Sequence, residues 1–333
     1  TFQDFFEKAA AEATGEQTPA VGLIYIEGVI SPGESEDDPF LGSGAGSTTI
    51  RYALDRARKD DNIKAVVVRV DSPGGSALAS DIIWIAATRC AAVKPVIVSM
   101  GQVAGSGGYY VSVGADTIFA DPTTITGSIG VVGGKLVLRD LLQSKLGITT
   151  AEFVRGKHAG LMTSMRPWTE SERAWVQRYM QEVYDQFKAR ITKARGQRLK
   201  KDLEEMAGGR VYTGAQALEL GLVDKLGGLH DALQFAAEKG GLGKDFEVRV
   251  LPKPSGLAAL FDMLRKLSGG DERDEYEIGL AQLRADPLLR TALPVLGTFA
   301  PGELRETLRF LQNLLILRNE RVGCFMPFVP ELK

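Results

Sequence analysis

Histidine and cysteine are the scarcest functional side chains in this 333-residue sequence, two of each. Cys90 and Cys324 are far apart and show no C-x-x-C spacing, so they suggest neither a zinc site nor a disulfide framework. Cys90 lies in the apolar stretch Ile82–Val93 and reads as core, while Cys324 reads as a free thiol near the C-terminus. His158 and His230 have no evident acidic orienter, so a Ser-His-Asp triad would have to be assembled by tertiary contact. Charge of one sign is also missing. Forty basic and 42 acidic residues leave a formal net of −2, without the electrostatic footprint of a nucleic-acid-binding protein. The basic cluster Arg195–Lys201 reads as a solvated helix end. No run reaches the roughly 18 apolar residues of a membrane span, and no signal peptide is visible. The first residue is Thr1 rather than Met, and Thr1–Pro19 reads as a helix and linker cut from mid-chain. A fragment or processed piece is therefore expected, and missing targeting signals carry no weight.

What is present is a chain with 44% hydrophobic residues and 38 glycines, enough for one large domain plus an extension. Strands are expected at residues 20–30, Ile63–Val70, 95–100 and Thr117–Ala120, the β-branched runs being typical of parallel strands covered on both faces. Helices are expected at Thr48–Asp60 (N-capped by Thr48 or Thr49), Ala77–Ala92 and just after Ser106. Further on, the pattern predicts a helix over Lys135–Leu146, a strand over Thr149–Val154 and an irregular stretch over Arg155–Pro167. A long helix over Thr169–Ala194 carries an apolar stripe from Trp175 to Phe187. The next expected elements are a compact strand–helix unit within Met206–Leu226, a helix over Leu229–Glu238 and a strand from Phe246 to Leu251. Beyond these lie a helix near 257–267, the charged linker Gly269–Glu277 and an apolar helix over Leu304–Leu317. This alternation predicts a parallel α/β architecture. The implied division is an N-terminal linker (1–19), an α/β domain (20–245) and a C-terminal, mostly helical extension (246–333).

Three Gly/Ser-rich turns fall at strand ends, where such folds gather ligand-binding loops: Asp71-Ser72-Pro73-Gly74-Gly75-Ser76, Val103-Ala104-Gly105-Ser106-Gly107-Gly108, and Thr126-Gly127-Ser128-Ile129-Gly130. None carries the G-x-G-x-x-G fingerprint or a P-loop, so no nucleotide site is expected. Ser106 on a strand-to-helix turn would expose its hydroxyl, with backbone N–H groups at the helix start facing any oxyanion formed there. The plainer alternative is a turn that only packs tightly. With histidine so scarce, a desolvated neutral lysine is the natural base for such a serine.

These three turns, together with Gly208-Gly209-Arg210-Val211-Tyr212-Thr213-Gly214-x-x-Ala217-x-x-x-Gly221-Leu222-Val223-Asp224, resemble the signal peptide peptidase A family. Its members are serine peptidases of the ClpP/crotonase-like superfold, built from stacked βαβ units and working with a Ser–Lys dyad. The likeness covers residues 21 to about 240 and implies that Ser106 is the nucleophile. It places the oxyanion hole at Gly74, Gly75 and Gly107, and makes Ser128 the residue that orients the base lysine. On the structural alternative, Gly74 and Gly75 only shape a turn and Ser128 only caps a helix. Short members of the family carry the lysine one position after a histidine or tyrosine, where this chain has Ala159 in Gly156-Lys157-His158-Ala159-Gly160. Lys157 lies two residues earlier, about 7 Å along an extended segment. It is either a shifted base or a surface lysine.

The long form of the family has two tandem halves, the serine in the C-terminal one and the lysine in the N-terminal one. This chain resembles the C-terminal half, including its ending Arg318–Phe325. The resemblance then implies a base supplied from outside the chain and no metal or cofactor. The implied substrates are signal peptides and other unfolded peptides. A bowl-like homo-oligomer (a tetramer) at the extracytoplasmic, periplasmic face of a membrane, with its anchor elsewhere, is also implied. A non-catalytic assembly half is the main alternative. A crotonase-type acyl-CoA enzyme is another, although no acidic residue lies in the serine turn.

Overall fold

The structure, a computed structural model, describes residues 18–38, 42–252 and 323–325. Its strands are β1 (Ala20–Ser31), β2 (Glu36–Asp38), β3 (Gly42–Gly46), β4 (Ile63–Ser76), β5 (Val96–Gly105), β6 (Thr117–Ala120), β7 (Ile125–Gly127), β8 (Val211–Thr213), β9 (Lys225–Leu226), β10 (Glu247–Leu251) and β11 (Gly323–Phe325). Its helices are α1 (Ser47–Lys59), α2 (Ala77–Ala91), α3 (Gly107–Ser112), α4 (Arg139–Leu146), α5 (Glu170–Arg195), α6 (Leu203–Met206), α7 (Gly214–Leu220) and α8 (Leu229–Lys239). The strands form one sheet with the order β2-β3-β1-β4-β5-β6-β9, parallel from β3 to β9. The expected α/β class is what the sheet and its covering helices display.

Alternation along β4 explains why both faces must be covered. Val66, Val68 and Val70 point to one face, where Ile50 and Leu54 of α1, Ile83 and Trp84 of α2, and Tyr109 and Tyr110 of α3 join the same core. Ala65 and Val67 point to the other, where Ala232, Ala236 and Ala237 of α8 close a smaller core. A strand buried on both sides in this way reads as a continuous apolar run. Cys90 is buried in the larger core, and burial pushes its thiol up to about 11, which makes it unreactive.

Several elements depart from the sequence pattern. The turn expected at Asp71–Ser76 is a continuation of β4, because Gly74 and Gly75 still pair with Val29 and Ile30 of β1. Helix α1 has no side-chain cap; the Thr49 hydroxyl instead accepts the Ser35 N–H at 2.8 Å and donates to Glu34, tying down the preceding loop. The strand expected over Thr149–Val154 pairs with nothing among the described residues and stays exposed, Phe153 at 94%. In α5 the stripe is only partly core: Val176 and Phe187 are buried, whereas Tyr179 is exposed and stacks on Trp175 at 5.5 Å. The 245/246 boundary does not match the sheet, since β10 pairs with β1 from Ala20↔Glu247 to Ile24↔Leu251. The helices expected near 257–267 and 304–317, and the linker between them, lie outside the described residues.

Two charged clusters hold α5. At its end, Arg195 is buried and donates to both oxygens of Asp224 at 3.1 and 2.9 Å and to the Gly221 carbonyl at 2.9 Å. Asp224 also accepts Arg198 and the Ile118 amide of β6. Burial pushes the Asp224 carboxyl upward, but the arginines and that amide outweigh it and hold it below its ordinary value. At the start of α5, Thr169 and Glu172 form a capping box, and Arg166 grips Glu172 at 2.6 and 2.9 Å.

Asp224→Ala leaves the buried Arg195 charge unpaired, and urea denaturation should register a loss of about 3–5 kcal/mol. The Arg166 bonds and the Thr169 amide push Glu172 down from 4.5 to about 2. A depressed carboxylate stabilises fully above its ordinary value, and that stability disappears as the pH falls through the folded value. The melting-temperature gap between the native chain and Glu172→Gln should therefore be widest above pH 4.5 and close toward pH 2.

Candidate active site

Ser106 stands between β5 and α3 with φ 50° and ψ −110°. Side-chain-bearing residues seldom adopt such a backbone, which costs about 1–3 kcal/mol and persists only where the surroundings impose it. Here they do. The Ser106 N–H donates to the Gly127 carbonyl at 2.9 Å, and its carbonyl accepts the Tyr110 N–H at 2.8 Å. Its Oγ lies 3.4 Å from the Gly130 carbonyl, a long contact that leaves the hydroxyl weakly held. Gly107 is the first residue of α3, where an amide has no partner within its own helix.

Helix α3 is short and takes its position from two buried phenols. Tyr109 donates to the Leu222 carbonyl at 2.8 Å, and Tyr110 donates to Asp81 Oδ1 at 2.7 Å, where Arg190 also binds. Burial raises both phenol pKa values, keeping them protonated as donors. The other wall of the site is the end of β4. A Cβ placed on Gly108 would stand 2.6 Å from the Ser72 carbonyl, so only glycine lets α3 approach this closely. A Cβ on Gly75 would meet the Ile30 carbonyl at 2.0 Å. Asp71 accepts the Val103 N–H at 3.0 Å, linking β4 to β5 just before the serine.

The structure brings Ser106, Gly75, Gly107 and Ser128 to one end of the sheet, through β4, α3 and β7. Gly74 lies there too, but its N–H donates to Ser72 Oγ at 3.1 Å, while that hydroxyl donates to the Gly28 carbonyl at 2.5 Å. The Gly74 amide, one of the three expected oxyanion donors, is thus engaged by Ser72 in this structure. Ser128 has φ 47° and donates its N–H to the Arg210 carbonyl at 2.7 Å. It opens onto a cavity of about 610 Å³ lined also by Gly130, Val131, Gln181, Tyr184 and Gly208. No lysine, arginine, histidine or carboxylate belongs to that lining among the described residues.

Lys157 is exposed on the irregular segment and is not part of this lining. His158 is half-buried with Nε2 unpartnered, and His230 pairs with Gln234 on the surface. Neither histidine is bonded to Ser106. Among the described residues no group of His, Cys, Asp and Glu is placed to hold a metal.

Sequence reasoning missed the positioning roles of Ser72, Tyr109, Tyr110 and Asp224. Ser72 and Asp224 lie in the quoted motifs and Tyr109 and Tyr110 directly follow one of them, but their partners are 26 or more residues away, apart from Ser72's bond to Gly74. Lys135 was also missed. Its amine donates to the Leu161 carbonyl at 3.0 Å and faces the Trp168 ring, and burial lowers its pKa.

Comparison with known proteins identifies the family of the chain. The model of Peptidase family S49 matches residues 88–243. The chain is 40% identical over 208 residues to the chloroplastic serine protease SPPA of Arabidopsis thaliana, which covers 62% of this chain and 30% of that protein. It is 36% identical over 219 residues to Protease 4 of Haemophilus influenzae, covering 66% of this chain and 34% of that protein. A putative protease of Synechocystis sp. is 34% identical over 235 residues, covering 69% of this chain and 82% of that protein. The match thus spans about a third of the first two relatives and most of the third. With a ClpP-like α/β sheet and these relatives, the chain belongs to peptidase family S49, the signal peptide peptidase A family.

Proposed function

We propose that this chain is the serine-bearing half of a peptidase that degrades cleaved signal peptides and other unfolded peptides. The observation that carries the reading is the backbone of Ser106, held at positive φ with a weakly bonded hydroxyl between two sources of backbone amides. In this reading Ser106 Oγ attacks the peptide carbonyl, and its proton passes to a neutral lysine amine. The amides of Gly75 and Gly107 hold the oxyanion, and the lysine returns the proton to the leaving amine. Water then releases the acyl group from Ser106.

The lysine comes from outside the chain, from an N-terminal half or a second subunit. One observation supports that source: none of the described basic residues, the exposed Lys157 included, lines the cavity beside Ser128. Ser128 donates a hydrogen bond to the incoming amine. A homo-oligomer, tetrameric in this reading, sits at the extracytoplasmic face of a membrane. Its anchor lies outside the described residues in this reading, and no helix among them is long and apolar enough to cross a bilayer. The same missing base favours a second reading, a non-catalytic half that only supports assembly.

Fluorophosphonate labelling separates the two. The chain expressed with its N-terminal half should label at Ser106 about a hundredfold or more faster than the chain alone, the usual minimum worth of a general base. Ser106→Ala should not label at all. Labelling of the isolated chain at full speed would return the base to Lys157, and no Ser106-dependent labelling in either form would favour the non-catalytic half. Ser128→Ala removes a hydrogen bond that stabilises the neutral amine, so the lysine pKa rises. The labelling profile should then move to higher pH while the melting temperature stays unchanged.

A further inference from the structure

A second cavity opens at the amino ends of the parallel strands. Pro95, which precedes β5, lines it, whereas Ser106 follows β5, so the whole length of that strand separates the two. The cavity has a volume of about 480 Å³ and lies between the α2–β5 connection (Ala91, Val93, Pro95), the start of β6 and the last turns of α8 (Phe235, Lys239). Its walls are mainly apolar, and Val93, one of the lining residues, is 62% exposed.

Two cations flank the aromatic wall. Lys225 Nζ lies 5.0 Å and Lys239 Nζ 5.4 Å from the centroid of the Phe235 ring, which itself packs on Phe119 at 5.5 Å. Neither ammonium has a carboxylate partner among the described residues. The other charged groups of the lining are already engaged. Lys94 donates to the carbonyls of Ala57, Asp60 and Ile63 at 2.7, 2.8 and 2.8 Å, and Asp116 accepts the Val96 amide at 2.8 Å. An apolar hollow with two uncompensated cations beside it suits a partner that is both apolar and acidic.

This chain carries such a segment close by. Residues 1–17 lie outside the described residues, and the described chain begins at Thr18, whose carbonyl accepts Arg249. Ala20 then partners Ile63 of β4, and the Ile63 carbonyl holds the amine of Lys94. The start of β1 is thus two strand spacings, about 10 Å, from the start of β5. In the segment, Phe2, Phe5, Phe6 and Ala9 follow the spacing of one helical face. Asp4, Glu7, Glu12 and Glu16 outnumber the single Lys8. Residues 15–18, extended, reach about 13 Å, enough to carry that face from β1 to the cavity.

We propose that residues 1–14 fold back on the amino end of the sheet as an amphipathic helix, with the phenyl rings in the cavity between Val93 and Phe235. Lys225 and Lys239 attract its carboxylates. The docked helix fixes where the chain leaves the domain, at the pole opposite Ser106. The inference stands independently of the peptidase reading.

The test compares the full chain with a form beginning at Gln17. The probe is a fluorescent synthetic peptide with the sequence of residues 1–16, followed by anisotropy, with hydrogen exchange read at residues 91–97 and 235–242. If the helix is docked nine times in ten, the shortened form should bind the peptide about tenfold more tightly than the full chain. Its two reporter segments should exchange faster than in the full chain and regain protection when peptide is added. Lys239→Glu in the shortened form should bind the peptide several-fold more weakly, and salt should narrow the difference.

Phe5→Ala with Phe6→Ala in the full-length chain alters only residues outside the described domain, and it should raise exchange at both reporter segments as the truncation does. This variant decides the matter even if the shortened form does not fold. Equal exchange in the double variant and the native chain would overturn the proposal. Protection that appears elsewhere, for instance at Glu247–Leu251, would overturn the assigned site. Protection of the full chain that rises with protein concentration would place the segment on a second copy and would overturn the intramolecular docking.

Discussion

The approach of α3 to β4 at Gly108 sets the geometry of the whole site. With a Cβ there, the Ser72 carbonyl would be 2.6 Å away, and α3 would have to back off from the strand. Ser106 immediately precedes this helix, and Gly74 and Gly75 follow Ser72 after Pro73, so one contact fixes the distance between the serine and the end of β4. Ser106 then takes a positive φ because β5 must turn sharply to reach α3, and the Gly127 carbonyl holds its N–H in that conformation. The strain is local, and several long-range bonds sustain it.

Those bonds explain why so few of the motif residues touch the reaction. Tyr109 and Tyr110 follow the serine and anchor α3 to Leu222 and Asp81. Asp224, two residues past Leu222, receives Arg195 and the Ile118 amide, joining the end of α5 to β6. The fourth motif is therefore a clasp that supports the segment on which Tyr109 rests. Ser72 plays a similar part on the other wall, bridging the Gly28 carbonyl and the Gly74 amide. A nucleophile in an unfavourable backbone needs such support at a distance, since the six residues of α3 cannot hold themselves in place.

Much of this was legible beforehand, for identifiable reasons. The β-branched runs of β4 and β5 mark strands covered on both faces, and the apolar spacing from Trp175 to Phe187 marks the long helix α5. Ser106 stood out because a lone serine sits among glycines between a strand and a helix, and the neighbouring Gly/Ser turns at strand ends weighed against a turn that only packs tightly. Other readings failed where long-range pairing overrode local chemistry. Pro73-Gly74-Gly75 looks like a turn, yet β1 keeps it in the sheet. Thr149–Val154 has strand-forming residues, yet no strand lies beside it among those described. Glu247–Leu251 looked like the start of an extension, and β1 draws it into the sheet instead.

The sequence by itself determined the α/β class, the order of most elements, and the identity of the serine turn and its glycine-rich neighbours. These are properties of residues close together in the chain, where hydrophobic period and turn chemistry act directly. Tertiary structure alone decided that the Gly74 amide is engaged by Ser72, and that the cavity at Ser128 has no basic lining residue among those described. It also decided that β11 returns to β4, pairing from Gly323↔Ser76 to Phe325↔Gly74. Each depends on which backbone groups meet across tens or hundreds of residues, and hydrogen-bond partners at that separation leave no periodic trace in the sequence.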